Sequence, residues 1–262
     1  MNILDTIIQS KYKEVAQRKE QFPIKKLEKH EFFERKTNSL KRNLQQSATG
    51  IIAEFKRKSP SKGIINDRVG VEEVTQGYAK AGASGISILT DTDFFGGTTE
   101  DLLKARPHLT VPILRKDFII DEYQIIEAKA MGADVVLLIA AVLSPKQINE
   151  LAEFAHSLGL EVLMEVHDLE ELQRSLNYHL DIVGVNNRNL KNFEVSINIS
   201  KDLTEHIPKE FVKISESGIS EVKSIKILQE YGYQGFLIGE NFMKSDNPAE
   251  MCHEFMESMK ES

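Results

Sequence analysis

Short apolar, β-branched runs recur along this chain from residue 50 onward, separated by stretches of helical periodicity. The runs fall at 50–55 (GIIAEF), 85–89 (GISIL), 111–114 (VPIL), 134–139 (DVVLLI), 160–164 (LEVLM), 182–185 (IVGV), 211–215 (FVKIS) and 235–238 (GFLI). Runs this short and this apolar read as strands buried on both faces. Between them, segments such as DEYQIIEAKAMGA and SPKQINELAEFAHSLG space their apolar residues three and four apart, as a helix with one buried face does. Gly82, Gly132, Gly159 and Gly232 stand just ahead of the next strand, where a left-handed residue closes a helix. Strand and helix alternate eight times, which predicts parallel pairing through right-handed crossovers. Roughly 210 residues is the usual span of a closed (β/α)8 barrel. Spacing by itself leaves an open doubly wound sheet as the alternative. The expected fold is α/β, a single (β/α)8 barrel.

The first 48 residues carry no strand signal. Ile3, Leu4, Ile7, Ile8 and Val15 approximate helical spacing, and Asp5 interrupts the apolar part. A signal peptide would have a longer apolar core and a small-residue cleavage site. Residues 1–48 are therefore expected to be a helical extension covering part of a barrel formed by 49–262. No Pro-rich or Gly/Ser-rich linker divides the chain, so 1–262 is read as one domain. No uncharged run reaches the eighteen or so residues of a membrane span.

Composition changes this picture in only two respects. The net charge is −7, so binding to nucleic acid or an anionic membrane through overall charge is not expected. An anionic ligand would need a local basic cluster, and Lys56, Arg57, Lys58 and Lys62 form one. The only cysteine is Cys252, which excludes an internal disulfide and a cysteine-based metal cluster and agrees with a reducing cytoplasm. A cytoplasmic monomer or weak homo-oligomer is expected.

Chemistry in such a barrel gathers at the C-terminal ends of the strands. Here those ends bear Glu54 and Lys56, then Lys116, Glu165, Asn186 with Arg188, and Glu216. Residues 52, 54 and 56 share one face of the first strand, so Glu54 and Lys56 point the same way. One such pair would be an ordinary surface ion pair. Charge repeated at several strand ends is costly to gather in a cleft and marks a functional site. SESGIS (215–220) and IGEN (238–241) put Gly218 and Gly239 where the last two strands turn toward helices, which suits a phosphate held by backbone N–H groups. Arg188 and Lys56 suit a second anionic group such as a carboxylate. Phe118 offers a wall for a flat ring, though ordinary packing would also explain it. Residues 57–63 are expected to form a loop over the barrel mouth. These features imply a phosphorylated, carboxylated small molecule and acid–base chemistry, and they do not specify the reaction.

IIAEFKRKSPSKGII (51–65) resembles the signature of the indole-3-glycerol-phosphate synthase family: two apolar residues, any residue, Glu, an apolar residue, Lys, two further positions, then Ser-Pro-Ser. The resemblance extends through ILRKDFIIDEYQI, EVLMEVHDLEEL, GVNNRNL, ISESGI and LIGENFM. It implies ring closure, decarboxylation and dehydration of 1-(2-carboxyphenylamino)-1-deoxyribulose 5-phosphate in tryptophan biosynthesis, with no metal and no organic cofactor. By the same resemblance Lys116 is the general acid and Glu165 an acid/base partner, with Glu54 and Lys56 the other catalytic positions. Ser59, Phe118, Asn186, Arg188 and Glu216 are then substrate-binding, and Ser217, Gly218, Gly239 and Glu240 phosphate-binding. Glu240 departs from relatives that carry a hydroxyl there, since a carboxylate aimed at phosphate would repel it. A Schiff-base aldolase using Lys116 as nucleophile remains a competing class. A phosphoribosylanthranilate isomerase would place a cysteine where Glu54 stands, and a catalytically silent barrel would lack Lys116 or Glu165.

Overall fold

The computed structural model describes residues 3–189 and 193–261; Leu190, the last residue of the GVNNRNL stretch, lies outside them. The strands are β1 (Ile51–Phe55), β2 (Gly85–Leu89), β3 (Ile113–Lys116), β4 (Val135–Ile139), β5 (Glu161–Val166), β6 (Ile182–Asn186), β7 (Val212–Glu216) and β8 (Gly235–Ile238). Each pairs in parallel with its neighbours in chain order, and β1 pairs with both β2 and β8. That closes the barrel and removes the open-sheet alternative. Among the described residues three helices precede it, α1 (Ile3–Gln21), α2 (Ile24–Leu27) and α3 (Leu40–Gln46). Around it run α4 (Val71–Ala81), α5 (Thr99–Ala105), α6 (Glu122–Ala130), α7 (Pro145–Ser157), α8 (Leu169–Ser175), α9 (Asn198–Leu203), α10 (Val222–Glu230), α11 (Glu240–Met243) and α12 (Pro248–Glu261). None of these helices is long and apolar enough to cross a membrane.

Two apolar layers follow from the alternation of side chains along each strand. Ile52, Leu114, Leu137, Leu163, Ile214 and Leu237 face the lumen, while Ala53, Phe55, Ile86 and Val136 pack outward against the helices. Leu40 and Leu44 of α3 belong to the lumen cluster, so this helix plugs the N-terminal end of the barrel. Ser39 caps α3 by accepting the Arg42 N–H, and the Lys41 N–H donates to Glu161 at 3.0 Å. Polar side chains in the lumen are thereby left to the opposite mouth.

The third strand starts two residues later than the expected 111–114. Pro112 has no N–H and cannot donate to the ladder; its carbonyl accepts from Ile86 at 2.9 Å. The strand instead runs on through Arg115 and Lys116, because both charges find partners. Buried Arg115 lies 3.0 Å from Asp117 and 2.7 Å from Glu127. Lys11, on the buried stripe of α1 between Ile7 and Val15, reaches Asp117 at 2.9 Å, Asp91 at 3.0 Å and Glu14 at 2.7 Å. Burial opposes charge on both Lys11 and Asp117, but the partners outweigh it, raising the lysine pKa and holding the Asp117 carboxyl well below the usual range. Breaking a buried pair from one side typically costs about 3–5 kcal/mol. The helical extension is thus fastened to the strand that carries Lys116.

Residues 57–63, expected as a loop, form most of a short antiparallel hairpin that pairs Lys58–Ser59 with Gly63–Ile64. The basic cluster is divided by it. Arg57 grips Asp101 with two hydrogen bonds at 2.6 and 2.7 Å, and the Lys58 ammonium donates to the Asp93 carbonyl at 2.7 Å. Those two cations brace the hairpin, and Lys56 and Lys62 are left facing the mouth.

Candidate active site

A cavity of about 660 Å³ opens at the C-terminal mouth. Its wall includes each of the thirteen residues singled out above: Glu54, Lys56, Ser59, Lys116, Phe118, Glu165, Asn186, Arg188, Glu216, Ser217, Gly218, Gly239 and Glu240. Ile3, Leu4 and Ile7 of α1 complete the apolar side, a contribution not foreseen from their spacing alone. Phe118 packs against Phe95 with ring centroids 5.9 Å apart.

Lys116 stands at the centre. Its ammonium lies 2.7 Å from Glu165 Oε2 and 2.8 Å from Glu216 Oε2. Burial would favour the neutral amine, but Glu165, Glu216 and Glu54 together raise its pKa above the ordinary value. A Schiff-base nucleophile must be a free amine, so this environment favours a proton donor instead. The two carboxylates beside it are driven apart. Burial opposes ionisation of Glu165, yet Lys116 and the hydrogen bonds around it hold the carboxyl well below its usual range. Glu216 is pushed up to about 8, by burial first and by the charge of Glu165 second, against the pull of Lys116. Among the described residues, Oε1 of Glu216 has no hydrogen-bond partner. An unpaired buried carboxylate oxygen is costly, and a proton on Glu216 relieves that cost. The surroundings thus favour a carboxylate at Glu165, an ammonium at Lys116 and a proton on Glu216.

Glu54 and Lys56 form a second pair at 2.8 Å, on the lumen face that alternation assigned to them. Glu54 Oε2 also accepts from Ser87 at 3.3 Å. Glycine at 239 makes room for this carboxylate, since a Cβ there would lie 2.5 Å from Glu54 Oε1. Asn186 donates to Glu165 Oε1 at 3.2 Å, and its own side-chain oxygen accepts the Arg188 N–H at 3.0 Å.

Ser217 and Gly218 both take positive φ, 68° and 73°. Only the second is a residue that does so without strain. Asn187, which the strand-end reading passed over, holds this turn from below. Its side-chain amide donates to the Ser217 carbonyl at 3.1 Å and to Ser215 Oγ at 2.9 Å, and its side-chain oxygen accepts from Ser200 Oγ at 2.8 Å. Helix α10 begins at Val222, so Gly218 lies in the turn ahead of the helix and not at its first residue. Gly239 directly precedes α11. The Glu240 carboxylate lies 3.7 Å from the Lys62 ammonium on the hairpin.

Fold and cleft define a (β/α)8-barrel enzyme whose acid–base groups meet in one desolvated mouth. The family model for indole-3-glycerol phosphate synthase matches residues 4–255, and the chain belongs to that family. An indole-3-glycerol phosphate synthase of Bacteroides thetaiotaomicron is 48% identical over 99% of this chain and 99% of its own length. One from Acinetobacter baumannii is 42% identical over 94% of this chain and 92% of the relative. Among solved structures, a thiamine phosphate pyrophosphorylase from Pyrococcus furiosus superposes with a TM-score of 0.61 at 16% identity, over 85% of this chain and 98% of that one. That likeness concerns the fold alone.

Proposed function

We propose that this chain is an indole-3-glycerol phosphate synthase of tryptophan biosynthesis, converting 1-(2-carboxyphenylamino)-1-deoxyribulose 5-phosphate to indole-3-glycerol phosphate, CO2 and water. The observation that carries this reading is the Lys116 ammonium held 2.7 Å from Glu165 and 2.8 Å from Glu216 in the buried mouth. In the first step the aryl carbon bearing the carboxylate attacks the ketose carbonyl carbon, and the carbonyl π electrons pass to oxygen. Lys116 gives that oxygen a proton, at a point where its own charge already stabilises the developing negative charge. The carboxylate then leaves as CO2, and its bonding electrons return to the cationic ring system. Loss of the new hydroxyl as water, with a ring proton, completes the indole.

Glu165 is the acid/base partner in these transfers, and the Glu54–Lys56 pair serves the dehydration. Arg188 and Lys56 receive the substrate carboxylate, with Ser59, Asn186 and Glu216 contacting the rest and Phe118 facing the aryl ring. Backbone groups at Ser217, Gly218, Gly239 and Glu240 receive the phosphate, while the Glu240 side chain stays with Lys62. The catalytic unit is the barrel with its helical extension, working in the cytoplasm.

Mixing the protein with this substrate is expected to produce indole fluorescence; unchanged substrate would overturn the proposal. The phosphate placement has its own check. Gly218→Val forces a branched residue into a left-handed turn, with a Cβ 2.2 Å from Val195 Cγ1. The expected result is a KM increase larger than the fall in kcat, and a normal KM would move the anion site elsewhere.

A further inference from the structure

Strand β5 carries one more polar side chain to the mouth. Residues 163, 165 and 167 share a face, so His167 stands just beyond Glu165, with its side chain only 9% exposed. The imidazole lies between two carboxylates. Nε2 is 3.3 Å from Glu165 Oε1, and Nδ1 is 3.1 Å from Glu171 Oε2. That same Glu171 oxygen accepts the His167 backbone N–H at 2.8 Å. Glu171 is itself fixed, because it lies in the first turn of α8 and its N–H donates to the capping Asp168 at 2.8 Å.

A neutral imidazole has one N–H and one lone pair. With a carboxylate on each side, the lone pair of either tautomer would face a negative oxygen. The imidazolium alone avoids this: it hydrogen-bonds Glu171 through Nδ1 and sets a positive charge 3.3 Å from Glu165, where Nε2 makes no hydrogen bond among the described residues. On the far side, Glu165 is faced by Lys116 at Oε2 and by Asn186 and His167 at Oε1. The sequence thus places a row of alternating charge across the mouth, Glu171, His167, Glu165 and Lys116.

We propose that His167 is a positioning residue of the acid–base centre, an imidazolium braced by Glu171 that keeps Glu165 ionised and aimed at Lys116. The proposal rests on the role given to Glu165 above. Burial alone would depress the histidine pKa, but the contacts with Glu165 and Glu171 outweigh it and push it up to about 10. The charged groups facing the ring are Glu165 from its own strand and Glu171 from α8. Lys116 of β3 and Glu216 of β7 lie one step beyond, across Glu165. The imidazolium acts on the reaction through Glu165.

The test uses the whole protein and has two parts. The His167 ring signal is followed by NMR from pH 5 to 9, assigned by its loss in His167→Asn or, if that variant does not fold, by its response in Glu171→Gln. The expected result is a ring that stays protonated through pH 8, with Glu171→Gln drawing its titration downward. A wild-type midpoint near 6.5 overturns the proposal. The second part compares kcat/KM–pH profiles. Loss of the cation raises the Glu165 pKa, so the acid limb in His167→Asn should move up by about one pH unit, the lower end of what one adjacent charge does. An unmoved limb together with a lowered Tm would mean a structural histidine and overturn the proposal. Should the wild-type protein make no indole, the activity reading fails, while the NMR titration still decides the state of His167.

Discussion

Lys116→Met is expected to lower kcat by about 10²–10⁴-fold, the usual contribution of general acid catalysis. Methionine keeps most of the apolar stem and removes both the proton and the charge. The loss belongs to the transition state, where the ketose oxygen becomes basic, so substrate affinity should change little. The proposed phosphate site lies on the turns after β7 and β8, and the proposed carboxylate site near Arg188 and Lys56, so neither depends on Lys116. Binding has to be measured directly alongside turnover, because KM need not equal Kd. The variant is expected to fold. Burial and the charge of Glu165 already favour a proton on Glu216, and Glu165 keeps His167 and Asn186 beside it, so no pair of bare carboxylates is left facing each other. A lysine present only for stability would give the opposite pattern, a lowered Tm with nearly normal turnover in the folded fraction. That outcome would remove Lys116 from the mechanism.

The second large effect separates the two carboxylates that flank this lysine. Glu165→Gln keeps shape and removes the charge that accepts protons, so kcat should fall by about 10²–10⁴-fold. Glu216→Gln should stay within about tenfold of the wild type, since glutamine resembles the protonated acid and at most one neutral hydrogen bond is weakened. The difference has a pH signature. Because the Glu216 pKa is raised to about 8, its proton is present below that pH and lost above it, where a second negative charge then competes for Lys116. Wild-type kcat/KM should therefore decline as pH rises through about 8, and Glu216→Gln should lack that decline. A severe loss in Glu216→Gln with activity retained in Glu165→Gln would exchange the two roles.

Most of the barrel was legible because its strands are buried on both faces and announce themselves as unbroken apolar runs. Alternation put Glu54 and Lys56 on one face of the first strand, the strand ends marked Lys116, Glu165, Asn186 and Glu216, and all six line the mouth. What the pattern missed depends on partners distant in the chain. Lys11 looks like any lysine on an amphipathic helix until Asp91 and Asp117 meet it. Arg57 seemed one cation among four, but Asp101, 44 residues away, claims it. Asn187 points away from the cleft into a buried set with Ser200 and Ser215, and neither serine advertises that role. Strand β3 was misplaced because Val111 and Pro112 look like strand, whereas buried Arg115 does not. His167 was within reach, since it sits two residues past Glu165 on the same face; only its second partner, Glu171, lay in the following helix.

Under the proposed function this chain closes an indole ring and expels the carboxylate, with Lys116 acting as an acid and not as a nucleophile. Substrate labelled in its carboxyl carbon tests it, turned over by the protein alone and, in a parallel sample, with cyanoborohydride, which reduces an imine and spares the ketose carbonyl. The expected result is one labelled CO2 released for each indole formed, and a chain of unchanged mass. Label retained in the product, or a reduced adduct on Lys116, would contradict it.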